Sequence, residues 1–186
     1  MVCIEMSFTP RVTFKVVVVG DFAVGKTSLC RRFAKREFSF EYKPTIGIDI
    51  LTRTILLPYL GKVILQIWDT AGEEKFKRVI PMYFRGANYG LLVFDLTRKQ
   101  TFDSVSKWYE LLKKSIGEIP LILVGNKMDL KEKREVPKDE AVSLSRSLET
   151  ITYIETSAMD GTNVENAFRI PAEFIIKELI EEKAKS

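Results

Sequence analysis

The segment Gly20-Asp21-Phe22-Ala23-Val24-Gly25-Lys26-Thr27-Ser28 limits the fold more than any other stretch of the chain. It reads G-x-x-x-x-G-K-T, a phosphate-binding loop whose glycines let backbone N–H groups close around linked phosphates. Lys26 adds a positive charge toward the β- and γ-phosphates, and the Thr27 hydroxyl suits Mg²⁺. The β-branched apolar run Phe14 to Val19 precedes the loop and reads as a buried strand. Residues Thr27 to Lys35 follow as a helix, whose N-terminus also attracts anions. A strand, this loop and a helix in that order point to a nucleotide site at the strand's end.

The rest of the chain continues the alternation. Strand signals fall at Ile48 to Leu57, Lys62 to Trp68, Tyr89 to Phe94, Leu121 to Val124 and Thr152 to Ile154. Helices are predicted over Phe102 to Ser115, Lys138 to Glu149 and Val164 to Lys183. The short connection Pro58-Tyr59-Leu60-Gly61 makes the second and third strands an antiparallel hairpin. The remaining pattern predicts a mostly parallel sheet covered by helices on both faces. Pro171 is expected to kink or split the last helix, because it removes a backbone donor and crowds the preceding turn.

Bulk properties remove several function classes. A chain of 186 residues suffices for one compact domain. The net charge of +4 is mild and its lysines are dispersed, so nucleic-acid binding is not expected. Histidine is absent, which excludes His-based acid–base catalysis and His metal ligands. The two cysteines, Cys3 and Cys30, lack metal or redox spacing and fit a reducing compartment. There is no apolar run of about 18 residues that would span a membrane, and residues Met1 to Pro10 do not read as a signal peptide.

Four further segments carry candidate chemistry. Asp69-Thr70-Ala71-Gly72 follows a strand directly. A carboxylate there sits where open α/β sheets bind ligands, and Asp69 would hold Mg²⁺, through a water. Gly72 can bring its N–H to a γ-phosphate; taken alone, the segment reads equally as a helix cap. In Asn126-Lys127-Met128-Asp129, the Asp129 carboxylate can accept from guanine N1–H and the exocyclic amine. Adenine offers neither donor, so an adenine-specific ATPase or small-molecule kinase is disfavoured. The Lys127 stem can lie along the base, and Asn126 can tie neighbouring loops together. Glu155-Thr156-Ser157-Ala158 can donate backbone N–H to guanine O6 and brace Asp129, although alone it reads as an ordinary turn. Finally, Thr45 in Tyr42-Lys43-Pro44-Thr45-Ile46-Gly47 is placed to swing onto Mg²⁺, where otherwise it would be an exposed loop threonine.

With these five segments in order, the chain resembles the Ras-superfamily small GTPases, and within them the Rab branch. The Rab character lies in Ile46-Gly47-Ile48-Asp49-Ile50, in Trp68-Asp69-Thr70-Ala71-Gly72-Glu73 and in Tyr83-Phe84-Arg85-Gly86-Ala87. The resemblance implies a P-loop NTPase G domain at residues 14–184 behind an extension at 1–13. Its sheet would have six strands, mostly parallel with one antiparallel edge hairpin, and about five flanking helices. It implies GTP or GDP and Mg²⁺ as cofactors. The nucleotide would be bound by Gly20, Asp21, Phe22, Ala23, Val24, Gly25, Lys26, Thr27, Ser28, Phe38, Tyr42, Asn126, Lys127, Asp129, Thr156, Ser157 and Ala158. Phe38 would stack on the guanine edge. Thr27, Thr45 and Asp69 would serve the metal, and Lys26, Thr45, Gly72 and Glu73 the chemistry. The loops Phe38 to Gly47 and Gly72 to Arg85 would be switches that read effectors, exchange factors and activators.

The chain departs from the family pattern at three places. Glu73 stands where most members have a glutamine that orients the attacking water. A carboxylate accepts from water but donates nothing to the transferring phosphoryl, and its charge opposes that group; better activation of water offsets this in part. Phe22 stands where a small residue is usual, and a bulky ring there should obstruct an activator's arginine finger. No arginine of the chain is an evident internal substitute. Slow hydrolysis is therefore expected, with a persistently GTP-loaded interaction module as the alternative. The sequence ends Glu182-Lys183-Ala184-Lys185-Ser186 without a cysteine for prenylation, so membrane attachment has no support in it. The expectation is a cytoplasmic monomer, peripheral to membranes only if a tail has been removed.

Overall fold

A computed structural model describes residues 12–39, 45, 47–57, 61–72 and 80–185. The chain order is β1 (Val12–Val19), α1 (Lys26–Lys35), β2 (Ile48–Leu57), β3 (Gly61–Thr70), α2 (Ile80–Phe84) and β4 (Tyr89–Asp95). It continues with α3 (Lys99–Asp103), α4 (Val105–Ile116), β5 (Leu121–Asn126), α5 (Lys138–Ser147), β6 (Tyr153–Thr156) and α6 (Val164–Lys185). The six strands form one sheet ordered β2-β3-β1-β4-β5-β6. Only β2 runs against its neighbour, from Ile48 opposite Thr70 to Leu57 opposite Gly61; the other pairings are parallel. The sheet is thus the mostly parallel one with an antiparallel edge hairpin that the sequence predicts.

Strand β1 explains the layering. Its apolar run is unbroken from Val16 to Val19, and successive side chains point to opposite faces. Val16 and Val18 therefore join one core with Leu29 and Phe33 of α1 and Phe168 and Ala172 of α6. Val17 and Val19 join a second core with Phe84 of α2, Phe102 of α3, Trp108 and Leu112 of α4 and Ala141 of α5. Stacking of Phe33 on Phe168, with ring centroids 4.2 Å apart, locks α1 to α6.

Helix assignments differ from expectation in three places. Helix α2 was not predicted; five residues are too few to display a helical period. The helix predicted from Phe102 begins inside α3, is interrupted at Ser104 and continues as α4. Pro171 does not split α6, which runs unbroken from Val164 to Lys185. Pro171 denies the Ala167 carbonyl its helical donor. Beside it, the buried Tyr89 hydroxyl donates to the Phe168 carbonyl at 2.8 Å. Burial of Ala167, Phe168, Ala172 and Ile176 around the proline holds the helix against the core.

Parallel β-α-β crossovers bring the C-terminal ends of β1, β3, β4 and β5 to one edge of the sheet. Chain connections leave β1 toward both flanks, and ligands of open α/β sheets bind at such a reversal.

Candidate functional site

A cleft of about 630 Å³ opens at that edge. Its walls are the loop after β1, the start of α1, the segment around Phe38, Thr45, Gly72, and the loops after β5 and β6. Residues distant in sequence thus meet at one site, which is large enough for a nucleotide.

The phosphate end is built on Lys26. It is 5% exposed, and its Nζ donates to the carbonyls of Gly20 and Asp21 at 2.8 Å each. Burial pulls its ammonium down to about 8, opposed by the neighbouring Asp69. The cation is therefore held by neutral carbonyls and has no carboxylate in direct contact among the described residues, an environment that an anion would stabilise. Gly25 precedes the helix with φ of 94°, and a Cβ there would lie 2.3 Å from Asn126 Nδ2. Gly72 packs as tightly on the other side. A Cβ on it would sit 2.4 Å from Lys26 Nζ and 2.5 Å from the Asp21 carbonyl oxygen. Val24 is buried, while Ala23, Ser28 and Phe22 line the cleft, with Phe22 42% exposed at its mouth.

Three oxygen side chains converge beside Lys26. Thr27 Oγ1 donates to Asp69 Oδ2 at 2.5 Å and lies 2.6 Å from Thr45 Oγ1. Thr27 has one proton and gives it to the carboxylate, so Thr45 donates to Thr27. The other carboxylate oxygen, Asp69 Oδ1, is buried without a hydrogen-bond partner among the described residues. Burial pushes the Asp69 carboxyl up to about 6, against the Thr27 hydrogen bond and Lys26. An orphaned buried carboxylate oxygen flanked by two hydroxyls fits a hard divalent cation. No cluster of three carboxylate, thiol or imidazole groups exists among the described residues. Such a cation would need phosphate oxygens and waters to complete its shell, as Mg²⁺ commonly does. Lys26 and Asp69 together thus fit a metal–polyphosphate ligand better than either ion alone. The loops carrying Thr45 and Gly72 are joined by the Ala71 N–H donating to the Gly47 carbonyl at 3.0 Å.

The far end is organised by Asn126, which is buried. Its Nδ2 donates to the Val24 carbonyl at 2.9 Å, and its Oδ1 accepts from Thr156 Oγ1 at 3.1 Å and Ala158 N at 3.3 Å. One amide ties the phosphate loop to the loop after β6. Lys127, Asp129 and Ala158 line the cleft; Thr156 and Ser157 lie buried behind it. Phe38 lines the wall opposite, 5.8 Å from the Arg32 guanidinium. Asp21 meets Lys26 through its carbonyl, while its carboxylate accepts from Trp108 Nε1 at 2.8 Å. Tyr42 and Glu73 lie outside the described residues.

Several contributors carry no sequence signal of their own. Arg32 reaches from α1 to the carbonyls of Ala158, at 2.8 Å, and Met159. Arg134 forks onto Glu155, beneath the loop after β6. Arg31, Glu37, Ser39, Thr70, Leu130 and Met159 complete the lining. Arg32 and Arg134 could be found from sequence only by knowing which loops they would meet.

Comparison with known proteins agrees with this geometry. Residues 15–177 match the Ras family. Ras-related protein RABA6a of Arabidopsis thaliana is 46% identical over 160 residues, covering 84% of this chain and 67% of the relative. Ras-related protein Rab11A of Lotus japonicus is 46% identical, covering 83% and 68%. Ras-related protein Rab-25 of Oryctolagus cuniculus is 45% identical over 173 residues, covering 92% and 78%. Proteins of this family are GTPases that bind GTP or GDP together with Mg²⁺. No helix among the described residues is long and apolar enough to cross a membrane. A Ras-family match over most of the chain, and Rab-named relatives at this identity, leave one assignment: the chain belongs to the Ras family of small GTPases, in its Rab branch.

Proposed function

We propose that this protein is a slow GTP/GDP switch, a single G domain at residues 14–184 behind an extension at 1–13. The observation that carries the reading is the convergence of Thr27, Thr45 and Asp69 beside the carbonyl-held Lys26. In this reading Lys26 holds the β- and γ-phosphates, and backbone N–H groups of residues 20–28 bind the rest of the chain. Thr27, Thr45 and Asp69 would hold Mg²⁺, with Asp69 acting through a water. The metal supplies charge neutralisation on the phosphate oxygens. Asp129 reads guanine, Lys127 flanks the base, Phe38 packs on its edge, and Tyr42 contributes from the same loop. Asn126, Thr156, Ser157 and Ala158 shape the base pocket.

Water attacks the γ-phosphorus, the bond to the β–γ bridging oxygen breaks, and GDP and phosphate leave with no covalent intermediate. Glu73 orients the water, and the Gly72 N–H meets the γ-phosphate. Two features support a low rate. Glu73 brings a negative charge where an amide donor is usual, and Phe22 stands at the cleft mouth, where an activator's arginine would enter. Arginine fingers supply roughly 10³–10⁵ in rate, so exclusion of one alone would leave hydrolysis slow. The switch loops 38–47 and 72–85 bind effectors, exchange factors and activators, and the protein acts as a cytoplasmic monomer in membrane trafficking. The position of Phe22 also favours a second reading, a persistently GTP-loaded module with no useful turnover.

Single-turnover hydrolysis of preloaded GTP with Mg²⁺ separates them. The switch reading expects a slow, measurable rate that Lys26→Ala abolishes and Glu73→Gln changes. Bound GTP that stays intact supports the module. Competition in which ATP displaces GTP equally would overturn guanine specificity and both readings.

A further inference from the structure

The carboxylate of Asp95, at the end of β4, belongs to none of the segments singled out by sequence, yet it connects both ends of the cleft. Its side chain is 1% exposed. Oδ1 accepts from Thr97 N at 2.9 Å and Thr97 Oγ1 at 2.7 Å, an ordinary cap of the turn that follows. A cap needs only that oxygen. Oδ2 instead takes two cations from different parts of the chain: Lys127 Nζ at 2.6 Å and Arg98 Nε at 3.0 Å. Arg98 then reaches on, its Nη2 donating to the Phe22 carbonyl at 2.9 Å.

That last bond acts on the phosphate loop through the geometry of the peptide. The Phe22–Ala23 peptide is planar and trans, so its C=O and N–H point in opposite directions. With the carbonyl turned out to Arg98, the Ala23 N–H is aimed to the opposite side. Ala23 lines the cleft and holds φ of 58°, a left-handed conformation that costs a non-glycine residue energy. The peptide therefore needs an external restraint, and Arg98 supplies one anchored on a buried carboxylate.

We propose that Arg98 is a positioning residue that presents the Ala23 N–H to the β-phosphate of a bound guanine nucleotide, and that Asp95 couples this clamp to Lys127 at the base. The proposal rests on the guanine-nucleotide reading. It assigns separate consequences to the two groups. Loss of Arg98 weakens recognition of the outer phosphates alone. Loss of the Asp95 charge releases both cations, so recognition of the base weakens too. In Asp95→Asn the Thr97 contacts can persist through the remaining oxygen, while the new amide turns donors toward Arg98 and Lys127.

The test compares GDP with GMP, which lacks the β-phosphate, by displacement of a fluorescent GDP analogue from the full chain with Mg²⁺. Arg98→Ala is expected to weaken GDP by roughly three- to tenfold, the modest value fitting a half-exposed guanidinium, and to leave GMP unchanged. Asp95→Asn is expected to weaken both. A general loosening of the fold would weaken GDP and GMP together in Arg98→Ala, and that result, or no effect on GDP, would overturn the proposal. If Asp95→Asn does not fold, Arg98→Ala decides alone. A wild-type protein that binds no GDP would overturn the nucleotide reading, and this proposal with it; tight wild-type binding with an indifferent Arg98→Ala overturns the proposal only.

Discussion

Replacing Asn126 with alanine should be among the most costly single changes at the cleft, and the structure sets the size of the loss. The side chain is 1% exposed and makes three contacts, to the Val24 carbonyl, the Thr156 hydroxyl and the Ala158 N–H, at 2.9, 3.1 and 3.3 Å. The first two have good length and the third is long, so the third contributes least. A neutral buried hydrogen bond is worth about 1 kcal/mol net, and a partner left buried and unpaired costs about 1–3 kcal/mol. Val24 and Thr156 are fully buried, so their groups cannot turn to bulk water. The total comes to roughly 2–4 kcal/mol. The contacts join the phosphate loop to the loop after β6, so the loss falls on nucleotide retention as well as folding. If all of it fell on binding, GDP affinity would drop between about thirtyfold and several hundredfold. The assay is release of a fluorescent GDP analogue, paired with urea unfolding in excess GDP, because bound ligand adds to apparent stability. Release within threefold of wild type, with an unchanged unfolding midpoint, would refute the claim that this amide holds the two loops together.

Other perturbations follow from the same geometry. Thr27→Ala removes the donor to Asp69 Oδ2 and leaves both carboxylate oxygens unpaired, so chelating Mg²⁺ should accelerate GDP release strongly in wild type and little in the variant. Tyr89→Phe deletes a fully buried hydroxyl and its bond to the Phe168 carbonyl, and should lower stability by about 1 kcal/mol in urea titration without changing nucleotide affinity. The Glu155 carboxyl is pushed up by burial, but hydrogen bonds from Arg134 and Tyr153 outweigh this and hold it below its ordinary 4.5. A depressed folded-state value means the contribution is present above that ordinary value and lost as pH falls through the lower one. Acid titration below about pH 4.5 should therefore destabilise wild type more steeply than Glu155→Gln, and equal slopes would remove Glu155 from the account.

What could be read from sequence divides along a physical line. The phosphate loop was legible because its function depends on backbone conformation and a fixed local spacing, both encoded within nine consecutive residues. The central strands were legible because Val16–Val19 of β1, Tyr89–Phe94 of β4 and Leu121–Val124 of β5 are buried on both faces and so read as near-continuous apolar runs. Local coding fails where a tertiary contact decides the outcome. Pro171 carries a strong local signal against helix, and it was overridden because the core around Phe168 and Ala172 holds α6 in place. Helix α2 carries almost no local signal at all and is fixed by Phe84 packing into the core beneath it.

The same division runs through the cleft. Groups that meet the ligand recur at readable spacings, whereas groups that hold them in place come from anywhere the fold brings close. Arg32 reaches the loop after β6 from α1, a separation of 126 residues to Ala158, and Arg98 reaches Phe22 across 76. Phe22 and Arg98 are then best treated as one device. The aromatic ring narrows the mouth of the cleft, and the arginine fixes the peptide that carries it. Substituting a small residue for Phe22 alone opens the mouth with the backbone still clamped, whereas Arg98→Ala frees the backbone with the ring in place. If the ring is what excludes an activator's arginine, Phe22→Ser should restore a strong response to such an activator, and Arg98→Ala should not. A response gained by Arg98→Ala and not by Phe22→Ser would mean that the posture of the loop, rather than the bulk of the ring, sets the barrier.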